Sequence, residues 1–230
     1  MNYIDKLLEE KIYPNEIVRL FYLFPMTKQE LLSYGEQLRT AYSKLIDVLE
    51  AVSIETIVDI IEANRDLIGE ITPANIPQFS NLMSINDVLD FVDSTDDITF
   101  ELIGYYINKD AKKGAQVKYG ENHYKTAAAM GLVYSEKPFG ITELGKQYMR
   151  LPKEKQLSLR NKLFLQIPIV QTIIVEAKNH KVAPTDILRE YLSESTSIRR
   201  RSNVRALVEH ACKEANAEFM VEIQNNLEWK

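Results

Sequence analysis

A single cysteine, Cys212, stands in the 230-residue chain. That excludes an intrachain disulfide and a zinc site built on cysteine pairs, and it suits a reducing compartment. Glycine and proline are scarce, at 8 each, so turn-rich β architecture and long free loops are not expected. No apolar run approaches the ~18 residues that a bilayer span requires. The longest candidate, Phe164 to Val175, is broken by Gln166, Pro168, Gln171 and Thr172. No apolar leader follows a basic start, and the expectation is a cytoplasmic protein without membrane contact. A glycine-rich phosphate loop, a nucleophile elbow and a metal-spaced acidic cluster are also missing. Hence no cofactor, no metal ligand and no catalytic residue is assigned. His123, His180 and His210 fall on separate predicted elements and read as surface or satisfied core groups. Cys212 reads as core.

A surplus of positive charge is lacking too. The net charge is −5, whereas nucleic-acid binders usually carry a basic footprint. The distribution answers part of this objection. Residues 1–84 hold 7 Lys and Arg against 13 Asp and Glu, while residues 85–230 hold 21 against 20. Lys109 to Lys125 contains five lysines against Asp110 and Glu121, and Thr196 to Arg205 contains four arginines and no acid.

Helix formers dominate what is present, and a helix-turn-helix pattern recurs three times. In the first unit Thr27 and Glu30 make a capping pair, and Gly35 ends the short helix. Leu38, Tyr42, Leu45, Leu49 and Val52 then form one stripe. The second unit, Ile98 to Met149, reads helix, lysine-bearing link, helix, hairpin (Gly131 to Ile141), helix opened by Thr142-Glu-Leu-Gly. That order predicts a winged helix, a fold that most often lays its second helix in a DNA groove. Lys118, Asn122 and Lys125 share a flank of that helix, with Tyr119 further round, Lys112 and Lys113 in the preceding link, and Lys137 at the hairpin tip. The third unit begins at Ala183-Pro-Thr-Asp and turns at Ser193 to Ser197. Its second helix buries Val204, Leu207, Val208 and Ala211 and points Arg199, Ser202, Asn203 and Arg205 away. Arg200 or Arg201 has the alternative of pairing with the acidic first unit. Ala217 to Ile223 alternates and predicts a closing strand. Boundaries are placed at the proline-rich link Thr72 to Ser80 and at Leu151-Pro152, giving units 1–84, 85–152 and 153–230. The fold class expected is mostly α: tandem helix-turn-helix and winged-helix units with small β-hairpin wings.

Several segments carry a resemblance. They are Val88-Leu-Asp-Phe-Val-Asp, Asn122-His-Tyr-Lys-Thr-Ala-Ala-Ala-Met-Gly-Leu-Val, Ile141-Thr-Glu-Leu-Gly-Lys, Gln166-Ile-Pro-Ile-Val and Ser197-Ile-Arg-Arg-Arg-Ser-Asn-Val-Arg. From Ser84 to Ile223, about 60% of the chain, the pattern resembles the helical winged-helix module of some type II restriction enzymes and related bacterial defence proteins. The resemblance implies DNA recognition, with the catalytic part elsewhere.

One tripeptide points to chemistry. Glu176-Ala-Lys178 matches the Glu-x-Lys half of a restriction-type nuclease site, in which carboxylates bind Mg²⁺ and a lysine assists water. No Asp occurs between Ala111 and Thr185 to complete it, and Ile169, Ile173 and Ala177 repeat at helical spacing. The expectation is therefore a binding protein, with a Mg²⁺-dependent endonuclease and a protein-interaction module as alternatives. The expected partner is double-stranded DNA, with a catalytic partner chain or a homodimer alongside. The contacts fall to Lys112, Lys113, Lys118, Tyr119, Asn122, Lys125, Lys137, Arg199, Arg200, Arg201, Ser202, Asn203 and Arg205. Backbone contacts position such a protein, and amides and arginines read bases.

Overall fold

A computed structural model describes residues 28–78, 82 and 84–229. The chain is mostly α-helical. The elements are α1 Lys28–Ser33, α2 Glu36–Ala51, α3 Ile54–Ala63, α4 Ser84–Ser94, α5 Phe100–Ile107, α6 Lys113–Ala129, α7 Glu143–Arg150, α8 Lys153–Leu163, α9 Pro168–Asn179, α10 Pro184–Tyr191, α11 Glu194–Ala211 and α12 Ala217–Asn226. Thr27 lies outside the described residues; Gly35, at φ 52°, separates α1 from α2 as expected.

Local chemistry sets these boundaries. Ser53, Thr99, Thr142 and Asn216 each accept a hydrogen bond from the amide three residues on, satisfying a first-turn donor that the helix leaves open. The end of α6 is a Schellman motif. Leu132 N–H donates to Ala127 O at 3.0 Å, Gly131 N–H donates to Ala128 O at 2.9 Å, and Gly131 takes φ 73°. The chain then runs out and back between α6 and α7. Tyr134 N–H donates to Gly140 O and Thr142 N–H to Leu132 O, around an isolated antiparallel bridge between Val133 and Ile141.

Ala217 to Ile223 is helical, which corrects the expected strand. Asn216 caps the segment from its side chain, while its own amide donates to Glu55. Phe219 and Ile223, one helical turn apart, are the buried pair.

All three stretches contribute to one apolar cluster. Tyr42, Leu45 and Ile61 join Val88, Tyr124 and Leu144, then Ile173 and Leu207. Polar links reinforce the packing. Tyr148 Oη donates to Asn86 Oδ1 at 2.9 Å, and Asn86 Nδ2 donates to Gln156 Oε1 at 3.0 Å, tying α4, α7 and α8 together. Three acids of the first stretch pair with lysines of the third. Glu50 pairs with Lys155, Asp59 and Glu62 with Lys178, and Arg65 reaches Glu176. Part of the acidic surplus of residues 1–84 thus links α2 and α3 to α8 and α9.

This network carries a pH prediction. Hydrogen bonds from Lys178, then Asn179, hold the Glu62 carboxyl below its ordinary 4.5. A carboxylate depressed in the folded state stabilises above its unfolded value, and that contribution disappears as pH falls through the folded one. Glu62→Gln should therefore flatten the decline of Tm between about pH 5 and pH 3, by under about 1 kcal/mol because the pair is partly solvated. A wild-type acid limb unchanged by the substitution would show that Glu62 does not fasten α3 to α9.

Candidate nucleic-acid interface

Two pairs of helices share one plan, a short helix followed across a tight link by a long one: α5 with α6, and α10 with α11. In the first pair the helices touch backbone to backbone. Gly104 lies against Gln116 O, and Gly120 against Phe100 O. That proximity fixes the rotation of α6 and so decides which of its side chains face outward.

Lys112 is the exposed N-cap of α6, and Lys113 pairs with Glu101 at 3.0 Å. Lys118 and Lys125 are exposed, but both bond to Glu121, at 2.7 and 2.6 Å. These bonds, Lys118's first, hold the Glu121 carboxyl below the usual carboxylate range. The trio carries one net positive charge rather than two. Tyr119 is half-buried, its ring 4.2 Å from that of His123. Lys137 sits on the exposed turn with its Nζ 5.8 Å from the Phe139 ring.

The arginine run divides by direction. Arg199 is exposed and Arg201 half-buried, and among the described residues neither has an acidic partner. Ser202 is exposed and Asn203 half-buried. Arg205 pairs with Glu209 at 2.7 Å. Arg200 turns inward. Its Nη1 donates to Pro73 O at 2.6 Å and Ile76 O at 3.0 Å. The Gln78 amide, with its oxygen turned inward, accepts from Arg200 Nε. Arg200 does reach the N-terminal stretch, but it meets neutral carbonyls of the proline-rich link, not carboxylates. Burial, then the charge of Arg199, lowers its pKa.

Lys118, Asn122 and Lys125 of α6 line the same cleft as Arg200 of α11. The cleft has a volume of about 640 Å³. Its far wall is the stretch from Gly69 to Gln78, which holds most of the Thr72 to Ser80 link read from sequence as a boundary between units. Phe100, Tyr134 and Phe139 give it an aromatic side; the Phe100 and Phe139 rings stack at 5.1 Å, and Tyr124 meets Phe139 at 4.6 Å. The sequence reading passed over these aromatics, and also Gln171. The one available signal for Gln171 was a polar residue breaking the longest apolar run.

The Glu176 and Lys178 pair does not converge. Both lie on α9, where residues two apart point roughly 200° from each other; the nuclease motif needs them on one side. Glu176 faces Arg65 and His180, and Lys178 faces Asp59 and Glu62. Among the described residues no group of three or more His, Cys, Asp or Glu is placed to hold a metal ion. Burial pushes the Cys212 thiol up to about 12, which fits an inert core residue. Among the described residues no helix is long and apolar enough to cross a membrane.

Compared with protein-family models, with curated proteins and with solved structures, the chain matches none of them.

Proposed function

We propose that this protein binds double-stranded DNA through two helix-turn-helix units. The first is α5 and α6, with the Gly131 to Ile141 turn serving as a small wing; the second is α10 and α11. The observation that carries the reading is the repeated plan, in which a short helix leads across a tight link to a long one, α6 or α11, whose exposed side holds cations. Lys112, Lys137, Arg199 and Arg201 add cations that have no acidic partner among the described residues and are suited to phosphate. The net charge of −5 is uneven: residues 85–230 hold 21 Lys and Arg against 20 Asp and Glu. By its resemblance to restriction-enzyme modules the chain is the recognition part of a restriction–modification or defence system, with cleavage left to a catalytic partner chain; a homodimer is the other partner proposed.

Duplex binding measured against salt tests this. The logarithm of affinity should fall linearly with that of salt, by about 0.9 for each neutralised phosphate. Arg199→Ala should weaken binding by about tenfold. No retention of duplex DNA at low salt would sink the proposal.

Exposed Leu102, Tyr105 and Tyr106 on α5, with Val117 on α6, favour a second reading, a protein-interaction module. Its mark would be a mass that rises with concentration in a protein that ignores DNA.

A further inference from the structure

We infer that the cleft between α6, the Gly131 to Ile141 turn and the Gly69 to Gln78 link binds a single unstacked nucleotide, its base on the aromatic side and its phosphate toward Lys118, Lys125 and Arg200. The inference rests on the nucleic-acid reading above and gives the cleft a role that groove contacts would not fill. A recognition helix reads duplex DNA by entering a groove about 12 Å wide. Lys118, Asn122 and Lys125 instead look across about 640 Å³ at the chain's own backbone, a volume within the range of small-molecule sites and too small for a duplex.

The lining suits a nucleotide part by part. Bases stack on aromatic faces whatever their identity, and the stacked Phe100 and Phe139 rings, with Tyr134 beside them, supply such a surface. Base edges are read by amides, which offer a donor and an acceptor together. Asn122 lines the cleft half-buried. Gln171 also lines it and is 1% exposed. Its Nε2 donates to Leu165 O at 2.7 Å, but its Oε1 accepts no hydrogen bond among the described residues. A buried amide oxygen without a donor is costly, and a base amino or ring N–H would satisfy it. Phosphate needs uncompensated cation. Among the described residues Arg200 bonds neutral acceptors, Pro73 O and Ile76 O among them, and Lys118 and Lys125 share Glu121. Of the acids, Glu136 lines the cleft; it lies on the exposed part of the Gly131 to Ile141 turn.

The nucleotide has two sources, a residue extruded from a strand or a free nucleotide, and the experiment separates them. The full chain is titrated calorimetrically with each deoxynucleoside 5′-monophosphate and with the matching nucleosides, and its effect on the emission of duplexes carrying 2-aminopurine is followed, since emission rises when that base leaves the stack. At least one monophosphate should bind with unit stoichiometry, and its nucleoside more weakly. Gln171→Leu, which removes the open acceptor, should weaken binding about tenfold. Ala128→Phe, which fills the cleft, should abolish it, with both variants checked by their melting curves. A rise in 2-aminopurine emission that Ala128→Phe removes while duplex affinity persists identifies an extruded base. Monophosphate binding without that rise identifies a free nucleotide. Duplex binding with neither signal overturns the inference and leaves the DNA proposal standing, whereas monophosphate binding without duplex binding does the reverse.

Discussion

Gly120→Ala is expected to destabilise the protein by about 3 kcal/mol or more. In the interior of a helix this substitution ordinarily stabilises by up to about 1 kcal/mol, so the sign itself is the test. A Cβ at Gly120 would stand 1.9 Å from Phe100 O and 2.7 Å from Gly104 N. Both are backbone atoms and cannot swing aside as a side-chain tip would. Relief requires α5 and α6 to separate, which strips packing from buried Ile103, Tyr124 and Ala127. Gly104→Ala should behave alike, since its Cβ would meet Gln116 O at 1.9 Å. Gly114, near the start of the same helix, has nothing within 4 Å of its missing Cβ. Gly114→Ala should therefore leave Tm unchanged or slightly raised, while Gly120→Ala lowers it by roughly 6–12 °C. Equal effects at Gly114 and Gly120 would refute the close approach. Because the same contact sets the rotation of α6, a folded Gly120→Ala should also lose DNA affinity.

Lys162→Met should cost about 2–3 kcal/mol. Lys162 is 6% exposed, an unusual place for a lysine. Its Nζ donates to Leu49 O, to Glu50 O at 3.4 Å and to Val52 O at 2.8 Å. These carbonyls close α2, where a helix leaves acceptors open and carries partial negative charge. Methionine keeps the aliphatic stem and removes the donor. Two effects then compete. Removing the lysine recovers its desolvation cost, the first cause of its lowered pKa. Against that, it orphans three acceptors and removes a cation near Glu214, Glu50 and Glu55. The second effect should win, since each buried acceptor left without a donor costs about 1–3 kcal/mol. A Tm equal to wild type would show that water serves those carbonyls as well as Lys162 does.

The helical skeleton was legible because its causes are local. Ser53, Thr99 and Thr142 cap helices from within three residues. Gly131 ends α6 by taking a backbone conformation that most residues avoid. The Met-Gly-Leu-Val and Thr-Glu-Leu-Gly elements that carried the resemblance also have a packing reason. Thr142 Oγ1 donates to Gly131 O at 2.7 Å, and a Cβ on Gly145 would lie 2.1 Å from Leu132 O, so the two motifs lock against each other. The strand read over Ala217 to Ile223 failed because alternation alone does not distinguish a strand from a short helix with two buried residues.

The cations and Asn122 of the candidate site were legible, its aromatics and Gln171 were not, and the roles were not. The pairing of Lys118 and Lys125 with Glu121 lies within one helix, at spacings of three and four, and was available to a sequence reading that weighed the lysines alone. Arg200 was not. Its partners Pro73 and Ile76 are 127 and 124 residues away, and no local rule distinguishes it from Arg199 or Arg201. What the sequence by itself determined was a mostly helical chain, the caps and turns that bound several of its helices, and the patches where cations gather, because capping, turn chemistry and helical periodicity act within about four residues. Only the tertiary structure decided which charges cancel, that a proline-rich link walls a cleft, and that Glu176 and Lys178 part company, because those outcomes depend on contacts between residues that the chain must bring together from far apart.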